Sequence, residues 1–543
     1  MDYTALAALL FPDVTDTPAD VEARYPKRDL PEGAVVTRIG PSPTGFVHLG
    51  NLYNAVIGER LAHQSGGIIF LRIEDTDDKR RVEGAVETLI NAMSYFGVRF
   101  DEGATADGDN GAYGPYRQSE RKAIYHVFAK QLVEMGKAYP CFLTAEEIDA
   151  IREQQTANKE NPGIYGKYAE KSRSLTIDQI RANMEAGLPW VLRYRGDSTG
   201  QYICVDDAIR GKLEMPENDM DFVLLKSDGI PTYHFAHAVD DHLMRTTHVI
   251  RGEEWISSLP MHVELFRIFG WQQPVYCHTA TLMKLDEGNK RKLSKRKDPE
   301  LALAYYQQEG ICREAVWEFL LTILNSNYEE WRLANPEAPY TEFPYALDKM
   351  SHSGALVDLD KMRDIAKNVI SRMTAQQVYD GWRAWCGEYD PEFAALIDKY
   401  PERTLAALNV GRGGAKPRRD LETWKQACDF MRFWYDETFT VTDEMGVDDE
   451  TRKAFFRKYL ASYDHGGTSD DWFAGVKAIT EELGFAVKPK DYKKNPEQYK
   501  GSIVHTTNML RIALTGRANA PDIWEISHVL GEEITRERLS RWI

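Results

Sequence analysis

A chain of 543 residues is too long for one hydrophobic core and calls for three or more domains, which excludes a single-domain reading. With 43% hydrophobic and 28% charged residues it has the composition of a soluble globular protein, not a disordered or membrane-embedded one; no run approaches a membrane span and no signal-peptide pattern occurs, so the cytoplasm is expected. A net charge of -17 excludes coating of nucleic acid by overall charge, so any RNA contact must come from local basic surfaces.

Residues 1–32 hold one short apolar stretch, LAALLF, followed by charged, Pro-containing sequence, which predicts a surface helix and a tether acting as a packing appendage. The apolar run 34–39 then predicts a strand, and Gly40, Pro41, Pro43 and Gly45 force a turn before the amphipathic stretch HLGNLYNAVIGERLA. A helix opening there aims unpaired N–H groups and its positive dipole end at the loop, as a phosphate chain requires. His48 and Asn51 share one face and can each donate to a phosphate oxygen, and Gly50 between them leaves room for an adenine ring to approach the backbone.

Residues 68–74 form a nearly continuous apolar run of the kind found in buried parallel strands, with Glu74 at its carboxyl end, where ligands of open α/β sheets bind. Asp75, Asp77 and Asp78 are read as turn and cap residues rather than metal ligands, because Lys79, Arg80 and Arg81 follow at once. Residues 113–231 alternate helical and strand-like stretches and predict a separate inserted domain. Sheet resumes at TTHVIRGEEW, with Arg251 at a strand end and Glu253, Glu254 and Trp255 opening a helix. Residues 284–297, KLDEGNKRKLSKRK, carry seven Lys or Arg against two acids and predict a mobile, phosphate-seeking loop.

Beyond about residue 301 the chain reads as mainly helical. Leu421, Trp424, Cys428, Met431 and Trp434 or Tyr435 recur at helical spacing as one buried face, and Pro521 and Gly531 bracket a further helix. The basic segment GRGGAKPRR at residues 411–419 is predicted to be a loop on this scaffold, suited to reading splayed single-stranded bases: Arg418 or Arg419 on a base edge and Lys416 on phosphate. The six cysteines show no Cys-x-x-Cys pair, so free buried thiols are expected, with neither a disulfide framework nor a zinc site.

PSPTGFVHLGN resembles the first signature of class I aminoacyl-tRNA synthetases, and specifically of bacterial glutamyl-tRNA synthetases, with Asn51 where the general pattern has a second His. KLSKR at residues 292–296 resembles the second signature, and GPYRQSER, LLKSDGIPTYH and ALTGR are also family-like; the resemblance runs from about residue 35 to the end and is weak between about 334 and 498, where KNVIS departs from the usual pattern. It implies an α/β nucleotide-binding, Rossmann-like catalytic domain with an α+β insertion, followed by a mainly α-helical C-terminal anticodon-binding region. The implied layout is an extension (1–32), the first catalytic half (33–112), an acceptor-stem-binding insertion (113–231), the second catalytic half (232–283), a signature-loop and stem-contact region (284–370) and a helical anticodon-binding domain (371–543).

The implied activity is ATP-dependent activation of L-glutamate, requiring bound tRNA, and its transfer to the 3′ end of tRNA(Glu). His48, Asn51 and Lys295 are the implied catalytic residues, and ATP is expected to lie against Pro41, Ser42, Gly45, His48, Gly50, Asn51, Lys292, Ser294 and Lys295. For glutamate the family positions are Arg38, Gly40, Ser42, Glu74, Tyr233, His237, Arg251, Glu254 and Trp255, His237 standing where a smaller Asn is common. A pocket for one ammonium and two carboxylates needs an acid and two cationic donors, which Glu74, Arg38 and Arg251 supply. ATP with Mg2+, no zinc and a monomer are expected. In the bacterial family an Arg near residues 418–419 resembles the one that favours glutamate-type anticodons, so a discriminating enzyme is expected; the alternatives are one that also charges tRNA(Gln), a glutaminyl enzyme, whose family ends in β-barrels instead of helices, and a non-catalytic RNA-binding relative, which would have broken signatures.

Overall fold

Four residues, Val36–Ile39, form a fully buried strand that pairs in parallel with Ile68–Leu71, which in turn pairs in parallel with Glu102–Ala104. The helix Leu49–Gln64 makes the crossover between the first two. On the other flank the Thr247 N–H donates to the Val36 carbonyl at 3.0 Å and the Val36 N–H donates to Thr247 Oγ1 at 2.8 Å, laying His248–Gly252 beside the first strand. His248–Gly252 runs parallel to Val275–Thr279 with Arg251 opposite His278. The chain thus leaves the Val36–Ile39 strand to one side and returns on the other, and a crevice opens beyond the carboxyl ends of the two central strands. The computed structural model describes residues 1–77, 82–414 and 417–543, in two units: residues 1–305 with 317–358, and residues 306–316 with 359–543. Asp78, Lys79, Arg80, Arg81 and Lys416, to which turn and phosphate roles fell in the sequence, lie outside the described residues.

Four elements differ from the sequence reading. Residues 1–32 carry two capped helices, Tyr3–Leu10 and Pro18–Arg24, instead of one. They are held by Lys130 Nζ on the Val14 carbonyl (2.8 Å), Tyr25 Oη on the Gly114 carbonyl (2.9 Å) and an Arg28–Glu102 ion pair (2.9 Å). The strand expected over 68–74 ends at Leu71, because the Ile73 N–H turns to the Tyr116 carbonyl (2.8 Å) and the Glu74 N–H to the Pro41 carbonyl (3.0 Å). The segment 113–231 is not wholly separate. Ala138–Cys141, Val191–Tyr194 and Val223–Leu225 form their own antiparallel sheet, but the hairpin Tyr202–Asp207 and Gly211–Pro216 joins the nucleotide sheet, Asp207 pairing with Tyr276. Finally, residues 284–297 are no simple loop: Leu282–Asp286 and Asn289–Lys292 form a hairpin whose turn residues Glu287 (φ 49°) and Gly288 (φ 84°) both adopt the left-handed conformation that matches strand twist.

The helix–sheet junction carries a titratable clamp. His63, in the last turn of Leu49–Gln64, places Nδ1 3.0 Å from Glu59 and Nε2 2.9 Å from Asp101, which also accepts the Ile69 N–H at 2.9 Å. The hydrogen bond to Glu59, outweighing burial and joined by the Asp101 bond, raises the imidazole above its ordinary range. A raised folded-state value stabilises the fold below the unfolded-state value, and the contribution is lost as pH rises through the folded value. The thermal midpoint lost in His63→Gln is therefore expected to be larger at about pH 6 than at about pH 9; equal losses would mean an uncharged imidazole.

The second unit is helical throughout its core. Leu421, Trp424, Cys428, Met431, Trp434 and Tyr435 are all buried, with Thr423 capping Trp424–Met431 by accepting the Gln426 N–H (3.1 Å). Asp522 caps Ile523–Leu530, and Gly531 (φ 84°) ends it. All six cysteines are free thiols; Cys386 and Cys428 of this unit are buried with their sulfurs 3.7 Å apart, and only Cys204, in the first unit, departs from the expected burial.

Candidate active site

At the crevice the first unit holds a cleft of about 1200 Å³ lined by Arg38, Gly40, Pro41, Ser42, His48, Gly50, Asn51, Glu74, Tyr233, Arg251, Glu254, Trp255, Lys292 and Lys295. These come from five separate stretches of sequence, and the strand ends and the 282–292 hairpin bring them together.

One end is built for a compact, multiply charged ligand. Arg38 is buried, its Nε 3.1 Å from Asp241 and its Nη1 donating to the Ile250 carbonyl (3.4 Å). Arg72, fully buried, links Asp241 (2.7 Å) to Glu74 (3.0 Å), so two arginines and two carboxylates balance one another. Burial pushes the Glu74 carboxyl above its usual range, against the opposing pull of Arg72 and Arg38. Gly40 is required here, since a Cβ would overlap the Glu74 carboxylate; Gly252 stands likewise against Glu254. Arg251 has no carboxylate partner among the described residues. Its Nε donates to His278 Nε2 (3.0 Å) and its Nη1 to His262 Nδ1 (3.1 Å) and Tyr233 Oη (3.3 Å), while Nη2 is buried without a partner among the described residues. Tyr233 closes the wall with Trp255, ring centroids 4.3 Å apart.

The other end is built for anions. His48 is the N-cap of Leu49–Gln64, and its N–H donates to Asn51 Oδ1 (3.0 Å). That bond fixes the amide so that Asn51 Nδ2 remains a donor, as the distal nitrogen of an imidazole in its place would. Burial, helped by Lys295 and Lys292, lowers the His48 imidazole to about 4, so near neutral pH it is an uncharged donor. The space that Gly50 leaves is taken by this ring: a Cβ at Gly50 would stand 3.0 Å from His48 Nδ1. Lys295 rests 4.4 Å over the Phe46 ring. The turn that presents it is anchored by buried Asp298, which accepts from Arg291 (2.6 and 2.8 Å) and from the Ser294 N–H (2.8 Å); the Arg291 bonds hold its carboxyl well below the usual range.

Three residues expected at the cleft do not line it. His237 is fully buried behind Tyr233, stacked at 5.8 Å, with Nδ1 2.7 Å from Asp241. Gly45 lines a smaller side cavity behind the signature turn, and Ser294 is engaged by its backbone with Asp298. Sequence reasoning missed Asp241, His262, His278, Asp207 and Asp298. No local pattern marks them: each acts on a side chain from another element, and only His278, placed opposite Arg251 by strand register, was within reach of a correct pairing of the strands.

In the second unit, Arg418 is engaged with Asp420 (2.8 and 2.7 Å) and lies 4.3 Å over Phe430, whereas Arg419 is exposed.

A family profile described as tRNA synthetases class I (E and Q), catalytic domain, matches residues 34–364, and one described as anticodon binding domain matches residues 497–543. A glutamate–tRNA ligase of Acetivibrio thermocellus is 52% identical over 545 residues, covering 100% of both chains. One of Clostridium perfringens is 47% identical over 99% of this chain and 100% of the relative. The crystal structure of a glutamate tRNA ligase from Elizabethkingia meningosepticum, in complex with its amino acid, aligns with a TM-score of 0.74 at 26% identity, covering 94% of this chain and 99% of that one.

Proposed function

Starting from a chain that belongs to the class I tRNA synthetases of the glutamyl and glutaminyl branch, we propose that it is a glutamate–tRNA ligase. It activates L-glutamate with ATP and transfers the glutamyl group to the 3′ end of tRNA(Glu). The observation that carries this reading is the meeting of both signature segments, through His48, Asn51, Lys292 and Lys295, with Arg251 and Glu74 in one cleft. The glutamate α-carboxylate attacks the α-phosphate of ATP, a P–O bond forms and pyrophosphate leaves; the terminal ribose hydroxyl of the tRNA then attacks the acyl carbon and AMP leaves. Arg38 and Arg251 take the carboxylates, Glu74 takes the ammonium, and the uncharged His48, Asn51 Nδ2 and Lys295 meet charge developing on phosphate oxygens. Mg2+ arrives with ATP, held by phosphates and water; among the described residues no cluster of three or more His, Cys, Asp or Glu could hold a metal. We read the enzyme as a cytoplasmic monomer; among the described residues no helix is long and apolar enough to cross a membrane. Pyrophosphate exchange with glutamate and glutamine in parallel, with and without tRNA, tests the reading: exchange supported by glutamine alone would make this a glutaminyl enzyme, and none with either would leave a binding protein.

For the anticodon, Arg419 is the better base reader, because Arg418 is committed to Asp420 and Phe430. Arg419→Gln is expected to cost about 1 to 3 kcal/mol on the cognate tRNA and to relax preference over tRNA(Gln), as loss of a base-edge contact does. Charging of both tRNA species at one salt concentration measures it; equal weakening of both would make Arg419 a phosphate contact.

A further inference from the structure

Around the cleft, buried guanidinium groups are treated in two ways. Arg38 and Arg72 are paired with Asp241 and Glu74, so their charges are met inside the protein. Arg251 is just as buried, yet every hydrogen bond it makes among the described residues goes to an imidazole nitrogen or a phenol oxygen. An arginine can only donate. His278 Nε2 and His262 Nδ1 must therefore be unprotonated, which puts their protons on the other nitrogens. The surroundings agree: His278 Nδ1 stands 2.7 Å from the Asp207 carboxylate, and His262 Nε2 stands 3.0 Å from His234 Nδ1. Asp207 is itself fixed on the hairpin by the N–H groups of Ile209 (3.0 Å) and Arg210 (2.8 Å). Burial, more than the nearby Arg251 charge, keeps both imidazoles below their ordinary range, strongly so for His262.

We propose that His278 and His262 are positioning residues for substrate choice: as neutral acceptors they orient the Arg251 guanidinium without neutralising it, so that its full charge is met only by the side-chain carboxylate of glutamate. A carboxylate in either place would hold Arg251 equally well and cancel the charge that separates glutamate from glutamine. Two carboxylates would then share one guanidinium, whereas glutamine would bring none. The proposal rests on the reading of Arg251 as the group that meets that carboxylate.

The test compares side chains of equal reach at residue 278. His278→Gln keeps a neutral acceptor near the position of Nε2, and His278→Glu replaces it with a charged one. In pyrophosphate exchange with tRNA present, His278→Glu is expected to raise the glutamate KM about 30-fold or more and to narrow the preference for glutamate over glutamine, as expected when a buried charged contact is lost. His278→Gln is expected to recover most of that loss, and the ATP KM of both variants should match the parent, which shows that they are folded. His262→Asn, which retains an acceptor near Nδ1, should behave as His278→Gln does. The proposal falls if the Glu and Gln variants at residue 278 have the same glutamate KM, or if His278→Glu keeps the parental preference. Arg251→Ala is assayed beside them. If it leaves the glutamate KM unchanged, the pocket reading itself is wrong; if it raises that KM while the two residue-278 variants do not differ, only the role of the neutral histidines is overturned.

Discussion

Replacing Arg251 by alanine is expected to raise the glutamate KM by far more than the ATP KM, with a loss of about 2 to 5 kcal/mol in glutamate recognition. The size follows from burial and partner count. Arg251 is 5% exposed, sits at the end of His248–Gly252, lines the cleft, and has no carboxylate partner among the described residues. A ligand carboxylate in the cleft is the partner expected to meet this charge, and a charge-assisted bond formed away from water is worth more than one at the surface. Glutamine offers an amide in place of that carboxylate, so the variant should lose discrimination together with affinity. The measurement is the pair of KM values in pyrophosphate exchange with tRNA present. An unchanged glutamate KM would remove Arg251 from the amino-acid site.

Lys295→Ala should slow adenylate formation about 100-fold or more while leaving tRNA affinity nearly intact, the usual cost of deleting one transition-state donor. Its ammonium lies over Phe46, beside the His48 imidazole that its charge helps to keep unprotonated. From there a short rotation of a long, flexible side chain reaches anything resting on the start of Leu49–Gln64. The base of its turn does not move freely, because Asp298 fixes Arg291 and the Ser294 N–H from below. Single-turnover kinetics with bound ATP and glutamate separate the step from product release. A fall in tRNA affinity with intact chemistry would make the basic hairpin an RNA contact instead.

Much of this was legible in the chain itself, for identifiable reasons. The strand, turn and helix start of residues 37–51 are local: Pro and Gly set the turn, the apolar run sets the strand, and His48 and Asn51 fall on one face of the helix by its own period. Arg251 could be placed because strand ends point into the crevice of such sheets, whereas Glu74 lies past the strand that ends at Leu71 and lines the cleft with its N–H on the Pro41 carbonyl. The hairpin at 282–292 was misread as a loop because a run of lysines and arginines hides a two-residue turn; charge dominated the pattern while the left-handed Glu287 and Gly288 decided the backbone. His237 was placed at the pocket wall by its position in a motif, yet the helix Tyr233–Leu243 turns it inward toward Asp241.

What the sequence determined by itself were most of the residues that line the cleft, since their chemistry is written in local turns, helix starts and strand ends. Only the tertiary structure decided how those residues are charged and held. Asp241 meets Arg38 from 203 residues away, and Asp207 reaches His278 from 71 residues away across a parallel strand pairing. A guanidinium that is paired and one that is left unpaired look the same in a sequence. The difference between Arg38 and Arg251 arises from which side chains the folded sheet brings within hydrogen-bonding distance, and burial then makes that difference count.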